Sequence, residues 1–232
     1  MRPSKSRVTA AVALVLLSAA TGGWAQTFDA VGRGWFDATG SHIADNPNYV
    51  AGLSISGPGS EYRDFFVFDL SSLDLTGKTI TDVRLELTVF SIYASVGGSV
   101  AYGTYDVSTP ASDLMADQSG ATGIFDDLGT GVSYGGFGLP SAISGSGEVT
   151  LDLTPAVEAD LAAAAGGYFA LGGKTQSVGP CFVFGGSGSL GSPPMGVQRL
   201  IVTTTPVPDG VPAGMALCAL LPLGALLRRR RA

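Results

Sequence analysis

Between residues 79 and 90, hydrophobic and polar side chains take turns. Ile80, Val83, Leu85, Leu87 and Val89 fall to one side, and Asp82, Arg84, Glu86 and Thr88 to the other. This period predicts an antiparallel strand with one face on a core and one in water. Phe65-Phe66-Val67-Phe68-Asp69-Leu70 has no polar side, which predicts a strand covered on both faces, ended by Ser71-Ser72 and a turn around Thr76-Gly77-Lys78. Similar reasoning predicts strands over Ser99–Val107, stopped by Pro110, and over Glu148–Leu153, Tyr168–Gly173, Cys181–Gly186 and Gln198–Thr204. Trp35-Phe36 is expected to open the first strand, with one of the two rings in the core. The runs at Tyr168 and Cys181 each carry Phe-x-x-Gly-Gly, and their spacing predicts a hairpin.

One segment has helical signals. Thr154 precedes Pro155 as an N-cap, Glu158 and Asp160 lie early where the helix dipole favours negative charge, and Gly166-Gly167 follow Ala162–Ala165. Residues 185–194 form a Gly- and Ser-rich stretch expected to be an exposed loop. With 34 Gly and 13 Pro among 232 residues, short strands and tight turns dominate. The expected fold is all-β: an antiparallel β-sandwich of jelly-roll type with one short helix.

The two ends differ from this body. Arg2, Lys5 and Arg7 precede an apolar run from Val8 to Ala20, and Gly23-Trp24-Ala25 supplies small residues ahead of Gln26, so residues 1–25 are expected to be a signal peptide. At the far end the apolar run Val211–Leu227 abuts Arg228, Arg229, Arg230 and Arg231. Seventeen residues at about 1.5 Å each reach the lower limit for crossing a bilayer, with Pro222 predicting a kink. Arginines hold such a segment's end in the cytosol, as do the amino-terminal cations, so the body between them is expected outside. The division is 1–25 signal peptide, 26–204 β-sandwich, 205–210 linker and sorting motif, and 211–232 hydrophobic segment with its arginine cluster.

Val207-Pro208-Asp209-Gly210, the apolar run and the terminal arginines together resemble a PEP-CTERM-type sorting tail. Asp209 keeps the acidic third position of the usual Val-Pro-Glu-Pro, and Gly210 replaces its second proline. The resemblance implies a membrane-embedded exosortase-type protease as partner, transient attachment to the inner membrane through the carboxyl-terminal helix, and a destination at the cell surface or in an extracellular polysaccharide matrix. Phe68–Leu73, Ile80–Leu87, Val149–Thr154 and Phe169–Gly173 also resemble the DNRLRE-type β-sandwich modules of extracellular proteins, some of whose relatives bind carbohydrate. Ile124–Gly129 with Gly131–Gly135 resembles a stretch common in exported proteins with such tails.

Charge narrows the functions. Seven of the 13 basic residues lie in the two ends, leaving six in the body against 18 of the 19 acids. That field repels nucleic acid. Cys181 is the body's one cysteine and is expected to be a small buried hydrophobe, and His42 is its one histidine, expected in an exposed loop, so neither a serine triad nor a zinc site is predicted. No catalytic residue is assigned. Calcium is the cofactor this composition could accept, through Asp45, Asn46 and Asn48 or through Asp126 and Asp127. A sugar would stack on exposed rings, and Trp35, Tyr49 and Tyr62 are the contacts expected, with Tyr102, Tyr105 and Tyr134 as further aromatic candidates. The expected function is that of an exported, exosortase-processed, non-catalytic surface or matrix protein associated with polysaccharide. A secreted glycan-active hydrolase and a surface protein held permanently by its carboxyl-terminal helix are the alternatives.

Overall fold

The computed structural model describes residues 22–46, 48–53, 61–94, 99–140, 147–176, 179–184 and 196–207. The apolar runs at both ends, the sorting motif beyond Val207 and the Gly/Ser-rich loop 185–194 lie outside the described residues. Among the described residues no helix is long and apolar enough to cross a membrane.

Strand β1 (Trp24–Asp37) organises the rest, because it belongs to two sheets. Its first half pairs antiparallel with β11 (Gln198–Pro206), from Trp24↔Thr204 to Asp29↔Arg199. Its second half pairs with β3 (Glu61–Asp69), from Ala30↔Phe68 to Asp37↔Tyr62. The register shifts between Ala30 and Gly32, leaving Val31 exposed, and a bulge of this kind lets one strand bend from one layer into the next. The first layer continues from β11 to β4 (Lys78–Val89) and then β8 (Gly147–Asp152).

In the second layer β3 has β1 on one side. On its other side lies β9 (Tyr168–Thr175), followed by β6 (Ser99–Asp106) and β7 (Ser133–Pro140). The Glu61 end of β3 also pairs with β2 (Val50–Leu53), which leads to β10 (Cys181–Phe184) and β5 (Ser91–Ala94). All these pairings are antiparallel. The eleven strands among the described residues exceed the eight of a jelly roll, because β2, β5 and β10 widen one layer.

The main core lies between the layers. Leu85, Leu87, Leu151, Leu200 and Val202 of the first layer share one buried cluster with Phe66, Phe68, Tyr102 and Leu171 of the second. The alternation expected for residues 79–90 holds on its apolar side, where Ile80, Val83, Leu85, Leu87 and Val89 are all buried. Thr88 departs from its polar set: it is buried, its carbonyl accepts from Tyr49 and its hydroxyl accepts from the Val197 amide. The all-apolar run is covered on both faces, as expected. Phe66 and Phe68 enter the main core, while Phe65 and Val67 join Phe36, Leu114, Phe125 and Leu128 in a second cluster. That second cluster is roofed by α1 (Ala111–Leu114) and α2 (Thr122–Asp127), neither of which was expected. Each is too short to show a helical period, and burial of single residues, Leu114 and Phe125, fixes them.

The expected helix is α3 (Ala156–Ala164). Its end is as predicted: Gly166 takes a left-handed backbone (φ +84°), and the Gly166 amide donates to the Leu70 carbonyl. Its start differs, since the Thr154 hydroxyl turns to the Ser133 carbonyl rather than capping α3. The hairpin between the two Phe-x-x-Gly-Gly runs does not form. Both edges of β9 are occupied by β3 and β6, so β10 finds its partners in β2 and β5. Trp35 and Phe36 end the first strand instead of opening it, and Phe36 is the ring that fills the core. The boundary expected ahead of Gln26 falls inside β1, because Trp24 and Ala25 already pair with Thr204 and Thr203.

Candidate functional site

Two of the three rings expected to meet sugar come together. Trp35, near the end of β1, lies edge-on to Tyr62 of β3 with ring centroids 5.1 Å apart. Tyr62 in turn lies 6.0 Å from Phe182 of β10. Phe182 is the direct cross-strand partner of Tyr93 on β5. Trp35, Tyr62 and Phe182 are half-buried and Tyr93 is 45% exposed, so four rings from four strands make a strip that is packed beneath and open above. Such rings present apolar faces to the C–H faces of sugars while their edges stay fixed by neighbours.

Sequence reasoning missed Phe182 and Tyr93. Phe182 sits in the apolar run Cys181-Phe182-Val183-Phe184, where nothing distinguishes the one ring left partly open from its buried neighbours. Its pairing with β2 and β5 depends on contacts distant in the chain.

Tyr49 belongs elsewhere, and its assignment as a sugar contact is corrected. It is 1% exposed, and its hydroxyl donates to the Thr88 carbonyl at 2.6 Å. That hydroxyl also accepts from Nε2 of Gln198 at 3.0 Å, and Oε1 of Gln198 accepts from Arg33 at 2.6 Å. Burial pushes the Tyr49 phenol up to about 12. The ring is needed in the core because few other groups could close this chain of buried polar atoms. Tyr102 and Tyr134 have no exposed surface either, and the Tyr105 hydroxyl accepts from Gln176 beneath the Lys174 ammonium.

His42 is also corrected. It is 3% exposed, its ring stacks on Phe36 with centroids 4.9 Å apart, and Nδ1 lies 2.9 Å from the Trp35 carbonyl. A carbonyl can only accept, so Nδ1 carries the proton. Burial lowers the pKa of this histidine, and Nε2 has no partner among the described residues. His42 therefore braces the backbone beneath Trp35. Cys181 is buried, as its neighbours predict.

Of the oxygens considered for calcium, those of Asp127 and Asn46 are engaged within the fold, while Oδ1 of Asn48 has no partner among the described residues. Asp126 and Asp127 stand on α2 rather than in a turn. The Asp127 carboxylate accepts the amides of Ser108 and Thr109 and both of their hydroxyls, at 2.6–3.0 Å. Asp126 lies 3.9 Å from Arg63, exposed. Oδ1 of Asn46 accepts from the amide and the side chain of Asn48, the ordinary chemistry of an Asx turn, and Asp45 is exposed. Among the described residues no three His, Cys, Asp or Glu side chains gather as a metal site would require.

Two of the six body cations, Arg63 and Lys174, border a polar groove of about 510 Å³ with Glu61, Tyr105 and Gln176. Their donors are directed at the carboxyl end of α2: Arg63 donates to the Phe125 and Asp126 carbonyls and Lys174 to that of Gly129. Cations at that position complement the helix dipole, so their role is to hold α2 on the sheet.

No family model matches the chain, and no curated protein does. Among solved structures the chain is similar to a cleaved adhesin domain of Lys-gingipain from Porphyromonas gingivalis, at 16% identity over 80% of this chain and 91% of that one, with a TM-score of 0.28. A likeness at this level of superposition transfers neither ligand nor activity.

Proposed function

We propose that this chain is an exported, non-catalytic β-sandwich that lies against polysaccharide at the cell surface or in the extracellular matrix, through the strip Trp35–Tyr62–Phe182–Tyr93. The observation that carries this reading is the ring sequence itself: three contacting rings from strands far apart in the chain, left partly open in a fold whose other large rings are mostly buried.

The geometry of the ends supports the reading. Pairing of Trp24 with Thr204 sets the amino and carboxyl ends of the domain side by side, so two flanking apolar runs would leave toward one membrane. Trp35 lies eleven residues along β1 from Trp24, up to about 36 Å away at 3.3 Å per residue, so the strip faces away from that membrane. In this scheme an exosortase-type protease acts at Val207–Gly210, and Val207, the one described residue of that motif, is exposed just past the last strand.

Fractionation of cultures of the producing cell tests the reading. The wild-type protein is expected with the polysaccharide fraction, and the Trp35→Ala/Tyr62→Ala variant in the free medium. Equal retention of both would reject the strip. Mass spectrometry of the exported product tests processing, since an intact Arg228–Arg231 end there favours the permanently anchored alternative.

A further inference from the structure

At the end of the sandwich opposite the strip, an open cleft of about 330 Å³ lies where α3 meets the start of β7, the end of β6 and the start of β9. Its volume is at the lower end of the range for small-molecule pockets. Tyr168 stands at its edge with 59% of its surface exposed, the most exposed large ring of the described domain. Nothing in the packing explains that exposure, because the residue's cross-strand partner is Asp69 and its neighbour Phe169 already supplies the core.

Two carboxylates line the same cleft, and each is held at one oxygen. Oδ2 of Asp160 accepts from the Tyr134 hydroxyl, whose own ring is fully buried. Oδ1 of Asp106 accepts the Val132 amide. The second oxygen of each carboxylate has no protein donor among the described residues. The rest of the lining is Val107, alanine and aromatic rings, with no Lys, Arg or His.

We infer that this cleft is a binding site for a single neutral pyranose, with the Tyr168 ring against the sugar face and Asp106 and Asp160 accepting its hydroxyls. The composition of the wall selects among ligand classes. Two carboxylate acceptors with no cationic donor beside them suit a polyol, whose hydroxyls can all donate, and disfavour uronates, sulfates and phosphates, which would meet two like charges in a body already rich in acid. A hard cation is disfavoured for a different reason: beyond the two carboxylates the lining side chains are apolar or phenolic, a poor supply of the six to eight oxygens that calcium takes. Prior fixing of each carboxylate by a buried or backbone donor is what orientation of hydroxyls requires.

This site is independent of the strip. Tyr62, second residue of β3, and Asp69, its last, are seven residues or about 24 Å apart, so one domain would hold polysaccharide at one end and a sugar residue at the other. A protein with two such contacts can bridge separate chains, which a single strip cannot.

Saturation-transfer difference NMR on the purified protein tests the inference, using the methyl glycosides of glucose, galactose and mannose, with glucuronate and calcium chloride as competing probes. At least one neutral glycoside is expected to bind with a millimolar Kd. Tyr168→Ala and Asp106→Asn are each expected to weaken it at least tenfold. Tyr168 is exposed, so its truncation leaves the fold intact, and an unchanged melting temperature confirms that. Absence of binding by all three glycosides, unchanged affinity in both variants, or tighter binding of glucuronate or calcium would overturn the assignment. Loss in Trp35→Ala alone would return the sugar to the strip.

Discussion

The Tyr102 hydroxyl donates a 2.8 Å hydrogen bond to Oδ1 of Asp64, and both side chains are wholly buried. Oδ2 of the same carboxyl has no partner among the described residues. Asp64 is also the cross-strand partner of Trp35, so this buried acid lies directly beside the aromatic strip.

Burial pushes the Asp64 carboxyl up to about 7, against the opposing pull of the Tyr102 bond. The folded protein therefore holds this proton more tightly than the unfolded chain. The resulting stabilisation is complete below about pH 4 and is lost as pH rises through 7. Wild-type stability is expected to fall by ~2–4 kcal/mol relative to Asp64→Asn over that interval, with the variant the more stable of the two at pH 8. Urea denaturation of both proteins from pH 4 to 8 checks this, and parallel pH profiles would contradict it.

His42 acts in the opposite direction. Its lowered pKa means that its contribution is present above the ordinary histidine value of 6.5 and is lost as pH falls below it. The ring fits because residue 34 is glycine: a Cβ there would stand 2.6 Å from Cε1 of His42 and 2.8 Å from Cε1 of Phe65, both on rigid rings. Gly34→Ala is expected to cost about 1–3 kcal/mol by overpacking, seen as a lower melting temperature. No loss would mean that His42 is not seated as described.

Asp127 gathers four donors from Ser108 and Thr109, and this anchors the segment that leads into α1. Asp127→Ala is expected to destabilise the fold by about 1–3 kcal/mol because the two amides lose their acceptor. Chelation with EDTA is expected to leave the melting temperature of the wild-type protein unmoved. A fall on chelation, reversed by calcium, would reassign these oxygens to a metal.

Trp24 and Ala25 extend the β1–β11 ladder, and the Lys78 ammonium lies 5.6 Å from the Trp24 ring centre. A chain beginning at Gln26 is expected to be less stable than one beginning at Gly22 by about 1–2 kcal/mol, from lost ladder bonds and the ring–ammonium contact. Thermal unfolding of the two chains measures the difference. Equal stability would show that these two residues are dispensable.

What the chain reveals without its structure depends on the range of the interactions involved. The alternation of Ile80–Val89 and the two-faced run at Phe65 are local signals, and both reported the burial of their apolar residues correctly, Thr88 being the polar position that departs. The end of α3 was equally local, since Gly166 adopts a backbone that other residues resist. The β9–β10 hairpin failed because pairing is decided by which edges remain vacant, and β3 and β6 had taken both edges of β9. β7 was invisible: Ser133-Tyr134-Gly135-Gly136-Phe137-Gly138 has too few side chains to show a period, and it is ordered by pairing with β6.

The candidate site was half legible for the same reason. Trp35 stands out as the body's one tryptophan and Tyr62 as a ring between Glu61 and Arg63, and the β1–β3 register brings them together. Tyr49 looks identical in sequence yet is buried, because its hydroxyl has a buried carbonyl and a buried amide within reach. Only the folded arrangement separates a ring with a buried partner from a ring with water.

Affinity of the purified protein for the producer's own polysaccharide, measured by calorimetry for wild type and for Trp35→Ala/Tyr62→Ala, tests the central claim most directly. Each ring is expected to contribute about 1 kcal/mol or more, so the double variant should bind at least tenfold more weakly while still unfolding in one cooperative transition above the assay temperature. Undiminished binding by a folded double variant would contradict the account.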